Sequence, residues 1–137
     1  MAAILIAEDD PDISSVLERI FRSAGFTVLT APDGRAALEI AAAHLPDIVL
    51  TDLDMPEMNG IELIKAIRVH AELRDTPVAL LSGSIHPGDT RAVSAAACGV
   101  LLKPFTSKHL VASMQALIER GHHAHDPSGS CPFLVAT

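Results

Sequence analysis

A chain of 137 residues with 49% hydrophobic side chains fits one domain around one core, and no apolar run approaches membrane-spanning length. A net charge of −7 and a pI of about 5.3 exclude a protein whose main surface is a basic phosphate-binding face. The two cysteines, Cys98 and Cys131, form no metal-like or redox-like pair, and Met1-Ala2-Ala3-Ile4 lacks the basic region of a signal peptide, so a reduced, cytoplasmic location is expected.

Strand-like and helix-like runs alternate along the chain. The first apolar run gives a strand over 2–7 and ends in Glu8-Asp9. A helix is expected over about 11–24. Asp10 can cap it, and Pro11 suits its first position. Ile13, Val16, Leu17, Ile20, Phe21 and Ala24 then recur at helical spacing until Gly25 stops it. A strand over 26–30 and a helix over 34–44 follow. The run Asp47 to Thr51 is short, rich in β-branched residues and bounded by Pro46 and Pro56. It reads as a buried strand over 47–51 with Asp52 at its carboxyl end. Asn59, with Glu62 three residues on, opens a helix over 60–72 in a capping-box pattern. A strand over 77–81 ends in Ser82 and is followed by a helix over 87–97. A strand over 99–102 ends in Lys103-Pro104-Phe105. The last helix, over 107–120, starts at Thr106 and buries Leu110, Val111, Met114, Leu117 and Ile118. Residues 121–137 show no period and read as a flexible tail on a domain spanning 1–120. Within that tail His122, His123 and His125 are treated as solvated rather than as metal ligands.

Strict strand–helix alternation implies an α/β fold with a parallel sheet, right-handed crossovers and helices on both faces. The polar groups then share one rim, because all of them fall at carboxyl ends of strands. They are an acidic cluster (Glu8, Asp9, Asp52), one hydroxyl (Ser82) and one ammonium (Lys103). Crowded carboxylates repel unless a cation sits among them, and an all-oxygen acidic set suits Mg²⁺. Mg²⁺ on one side of a phosphoryl group and a lysine on another neutralise its charge, and Asp52 can then serve as nucleophile. Taken singly these residues have plainer readings: Asp10 as a helix cap, Ser82 as a turn residue, Lys103 as a solvated side chain.

Four segments in order make the pattern specific: Ile4-Leu5-Ile6-Ala7-Glu8-Asp9-Asp10, the stretch from Pro46 through Asp52-Leu53-Asp54-Met55-Pro56 to Gly60, Pro77-Val78-Ala79-Leu80-Leu81-Ser82-Gly83, and Leu102-Lys103-Pro104-Phe105. Over residues 2–120 the chain resembles the receiver domain of bacterial two-component response regulators. The resemblance implies a flavodoxin-like (βα)5 doubly wound parallel sheet in the order 2-1-3-4-5. It implies that Asp52 accepts a phosphoryl group from a histidine kinase or histidine phosphotransfer protein. Glu8, Asp9, Asp52 and the backbone carbonyl of Asp54 would hold Mg²⁺. Ser82 would bond the phosphoryl group and Lys103 would pair with Asp52 and then with the phosphate. Lys103-Pro104 becomes a candidate cis peptide, and Asp54 and Ser84 stand where the family tunes hydrolysis. The fourth helix, fifth strand and fifth helix form the expected contact surface.

The chain is thus expected to be a phosphorylation-dependent switch, apparently of the stand-alone type. It would be an enzyme only toward itself, acting through protein contact or onward phosphotransfer, without direct nucleic-acid or membrane binding. Two positions depart from the family: Ser82 stands where Thr is more frequent, and Val100 stands where an aromatic residue is usual, so the familiar aromatic rotation is not available. That departure keeps open a phosphorylation-independent interaction module. A receiver fragment of a larger regulator or hybrid kinase is also open. A phosphatase of the haloacid-dehalogenase kind is prompted by Asp52-Leu53-Asp54, but those enzymes carry Asp-x-Asp on the first strand.

Overall fold

The computed structural model describes residues 2–82, 99–102, 105–120 and 135–136. The expected helix over 87–97, Gly83, Ser84, Lys103 and Pro104 lie outside the described residues, as do 121–134.

Strand β1 (Ala3–Ala7) leads into helix α1 (Pro11–Ser23), followed by β2 (Thr27–Ala31), α2 (Gly34–His44), β3 (Ile48–Asp52), α3 (Gly60–Val69) and β4 (Val78–Ser82). Then come β5 (Gly99–Leu102), α4 (Ser107–Arg120) and β6 (Val135–Ala136). Every pairing is parallel, in the order β2-β1-β3-β4-β5-β6. The first five strands follow the expected order. A sixth strand is added to the expected five: Val135 and Ala136 join the outer edge of β5, opposite Gly99 and Val100. A two-residue strand carries no periodicity and forms only where a sheet edge offers it hydrogen-bonding groups.

Successive residues of a strand face opposite sides of the sheet, and the core divides accordingly. Leu5, Ala7, Val49, Val78 and Leu80 pack with Ala37 and Ala41 of α2 and Leu63, Ile64 and Ile67 of α3. Ile4, Ile6, Ile48, Leu50, Ala79 and Leu81 pack on the other face with Leu17 and Phe21 of α1 and Leu110, Met114 and Leu117 of α4. The central strands are buried on both faces, which is why they read as continuous apolar runs. Phe21 also meets Phe26 edge-to-face, with centroids 5.2 Å apart.

Local signals set the helix ends. The Asp10 carboxylate accepts from the N–H groups of Asp12 (2.9 Å) and Ile13 (3.3 Å), and Gly25 takes a φ of +95° beyond α1. The capping box of α3 is closed in both directions between Asn59 and Glu62. Two details depart from the sequence reading. Val16 is 46% exposed, because the buried stripe of α1 is narrower than its apolar pattern. Helix α3 stops at Val69 rather than at 72. His70 is extended (φ −82°, ψ 127°), and the buried Arg68 guanidinium donates to the carbonyls of Arg74 (3.2 Å) and Thr76 (2.6 Å), holding the chain in a turn.

Candidate functional site

Parallel register brings the acidic residues together. Ala7 of β1 stands beside Thr51 of β3, so the next residue of each chain, Glu8 and Asp52, emerges at the same level. Glu8 continues the ladder through its N–H, which donates to the Ala31 carbonyl at 3.0 Å. Its side chain turns inward and is only 3% exposed, and its Oε2 accepts from the Asp9 N–H at 3.0 Å. Asp9 is exposed and Asp52 half-buried. Carboxylate oxygens of Glu8, Asp9 and Asp52 all lie within 4.8 Å of one another. The three consecutive acids Glu8, Asp9 and Asp10 therefore divide their work: two face the cluster and the third caps α1.

Of the other expected residues, Ser82 is set beside Asp52 by the sheet register. Asp52 pairs with Leu81 of β4, which sets Ser82 one residue further along the adjacent strand, where it is 2% exposed. Ser82 pairs in turn with Leu102, the last residue of β5. Lys103 follows Leu102 and lies outside the described residues. Asp54 is exposed, and its carboxylate is not one of the three that converge.

Two neighbours of Asp52 escaped the sequence reading of the site. The buried Thr51 hydroxyl donates to the Asp52 carbonyl at 2.9 Å; a polar residue inside an otherwise apolar run was its signal. Gly60, the first residue of α3, donates its N–H to the Leu53 carbonyl at 2.8 Å. A Cβ on Gly60 would stand 2.3 Å from the Asp52 carbonyl oxygen.

Three carboxylates this close favour an oxygen-seeking divalent cation. Each pair of unit charges near 4 Å costs about 1–4 kcal/mol at surface-like dielectrics when nothing neutralises them. Ligands of an octahedral Mg²⁺ at about 2.1 Å stand at most about 4.2 Å apart. A spread of 4.8 Å is thus within a small side-chain adjustment of that geometry. With all-oxygen donors and one open, exposed side at Asp9, the set fits an ion that keeps several waters.

Residues 4–115 match the response regulator receiver domain. The chain belongs to that family. As a receiver domain of two-component signalling it is 39% identical over 118 residues to the transcriptional regulatory protein PrrA of Mycobacterium tuberculosis, covering 85% of this chain and 50% of PrrA. It is 34% identical over 123 residues to the transcriptional regulatory protein CpxR of Escherichia coli, covering 89% of this chain and 51% of CpxR. The receiver thus spans about half the length of the curated relatives it matches. Among solved structures, the chemotaxis response regulator CheY4 of Vibrio cholerae superposes with a TM-score of 0.81 at 32% identity, covering 85% of this chain and 98% of that one. The receiver domain of a sensor histidine kinase from Pseudomonas aeruginosa superposes with a TM-score of 0.80 at 29% identity, covering 86% and 98%; it has a magnesium ion coordinated in its active site cleft. Among the described residues of this receiver, no helix is long and apolar enough to cross a membrane.

Proposed function

We propose that this receiver domain is a phosphorylation-dependent switch in which Asp52 accepts a phosphoryl group with the help of Mg²⁺. The convergence of Glu8, Asp9 and Asp52 carboxylates within 4.8 Å carries the reading. Glu8, Asp9, Asp52 and the Asp54 carbonyl hold the ion. The ion supplies charge neutralisation on the phosphoryl oxygens. A carboxylate oxygen of Asp52 attacks the phosphorus of a phosphohistidine on a histidine kinase or histidine phosphotransfer protein. A P–O bond forms, the P–N bond breaks, and the released imidazole nitrogen takes a proton. Ser82 donates its hydroxyl to a phosphoryl oxygen, and Lys103 pairs with Asp52 before transfer and with the phosphate after it. Output follows from a shifted two-state equilibrium read by a protein partner, or from onward phosphotransfer.

The test is intact mass after incubation with Mg²⁺ and acetyl phosphate. The wild type gains one phosphoryl group, and Asp52→Asn gains none. An adduct retained in the mutant moves the acceptor elsewhere. Val100, in place of the family's usual aromatic residue, favours a second reading: an interaction module that works without phosphate. Wild-type protein that takes up Mg²⁺ but no phosphoryl group decides for that reading.

A further inference from the structure

The loop between β3 and α3 carries Asp54, whose carbonyl is one of the proposed ion ligands, and it is held in a strained shape. Glu57 has a φ of +65°. Around it the Met58 N–H donates to the Pro56 carbonyl at 2.7 Å, closing a three-residue turn of the rare left-handed kind. Such a turn persists only where its surroundings fix it. The surroundings here are α2. The N–H of Gly34, a first-turn donor that the helix itself cannot satisfy, donates to the Met58 carbonyl at 3.1 Å, immediately after the strained residue.

No side chain fits at this junction. A Cβ on Gly34 would stand 2.3 Å from the Met58 carbonyl oxygen, 2.9 Å from its Cβ and 3.0 Å from its carbonyl carbon. The atoms met are chiefly backbone, so they cannot swing aside. Helix α2 is seated on the sheet by the fully buried Ala37 and Ala41. The loop is exposed at its apex, Pro56 and Glu57, and is anchored on the core only through the partly buried Met55 and Met58 on either side. Any atom added at Gly34 is therefore relieved by moving the loop.

We infer that Gly34 is a positioning residue for the divalent ion: the three atoms nearest its Cβ position all belong to Met58, and it acts through Met58 to hold the loop that presents the Asp54 carbonyl. The inference rests on the reading of the acidic cluster as an ion site. Gly25 supplies the control. It needs to be glycine for its φ of +95°, yet a Cβ there meets nothing within 4 Å. Gly25→Ala strains the backbone without touching the loop.

The experiment titrates the whole chain with Mn²⁺, as a hard octahedral probe of Mg²⁺ sites, and follows water-proton relaxation; circular dichroism reports folding. Gly34→Ala is expected to raise the half-saturating Mn²⁺ concentration by about tenfold, the scale of losses when an outer-shell support is removed. Gly25→Ala, although less stable, keeps the wild-type value. Should Gly34→Ala fail to fold, Met58→Gly keeps the carbonyl that Gly34 bonds but removes the side chain that packs this loop on the core and frees the backbone beside Glu57, so the loop is held less firmly and the same direction of change is expected. Wild-type affinity in folded Gly34→Ala, or in Met58→Gly where that variant decides, overturns the inference. So does weakening in Gly25→Ala equal to that in Gly34→Ala, which assigns the effect to lost stability. A wild-type protein that takes up no ion overturns the reading of the cluster itself, and the inference with it.

Discussion

Gly60 lies directly under the backbone of Asp52: the place a Cβ would occupy is 2.3 Å from the Asp52 carbonyl oxygen and 3.0 Å from Leu80 Cδ2. The start of α3 and the end of β3 are thus in contact at the residue proposed to take the phosphoryl group. Their separation is fixed further by the 2.8 Å bond from the Gly60 N–H to the Leu53 carbonyl. Gly60→Ala must push either the helix or Asp52. It is expected to lower stability by about 1–3 kcal/mol, as overpacking of a tight contact does, and to slow acyl-phosphate formation at saturating Mg²⁺. Thermal melts and time-resolved intact mass measure both. A wild-type rate of adduct formation would show that Asp52 keeps its pose.

Asp9 is the exposed member of three carboxylates within 4.8 Å. Without a divalent ion its charge opposes those of Glu8 and Asp52. Asp9→Asn is therefore expected to be more stable than wild type in chelator, by about 1 kcal/mol because Asp9 itself faces solvent. The order reverses when Mg²⁺ is added. An ion that binds only the folded state stabilises it by about 2.7 kcal/mol at a hundredfold excess over Kd, and Asp9→Asn forgoes most of that gain. Melting temperatures with and without Mg²⁺ give the comparison; equal Mg²⁺ shifts in the two proteins count against Asp9 as a ligand.

Its neighbour Asp10 is expected to behave in the opposite way. The Asp10 carboxylate is occupied by the N–H groups of Asp12 and Ile13. Asp10→Ala removes a helix cap, with an expected loss of about 1 kcal/mol, and leaves the Mg²⁺ shift in melting temperature intact. A lost Mg²⁺ response in this variant would assign Asp10 to the ion.

The sequence reads this fold well where local chemistry decides and poorly where contact does. Helix α2 was expected over 34–44 and runs over those residues, because its cap and its small apolar face are both local. The apolar patterns place most strands one residue early: β3 runs to Asp52 and β4 to Ser82. An apolar pattern stops at the first polar side chain, but a parallel ladder is built from backbone and carries on. That single residue matters, since it puts the Asp52 and Ser82 backbones inside the sheet, next to Leu81 and Leu102, rather than in loops beyond it. The placement of Glu8, Asp9, Asp52 and Ser82 at one rim is legible because each stands at or just past the end of a strand-like run. The clasp of Gly34 on Met58 was not, because a glycine at a helix start looks the same whether or not a loop lies against it.

Arg68 tests the other end of α3. The sequence places a cation near a helix end, a common solvated arrangement, yet Arg68 is 2% exposed and its Nη1 donates to the Thr76 carbonyl at 2.6 Å and the Arg74 carbonyl at 3.2 Å. Those bonds turn the chain back toward β4, the strand that carries Ser82. Charged donors contribute about 1.5–3 kcal/mol per hydrogen bond, and a buried carbonyl left without its partner adds a desolvation cost. Arg68→Ala is expected to lose about 2–4 kcal/mol in denaturant unfolding. Arg68→Lys recovers only part of that, since an ammonium is a single point of donation where the guanidinium is a fork. The turn lies at the amino-terminal side of β4, away from the acidic rim. Folded Arg68→Lys should accordingly take up Mn²⁺ with wild-type affinity, and a weakened ion site in that variant would show that strain at the far end of β4 reaches Asp52.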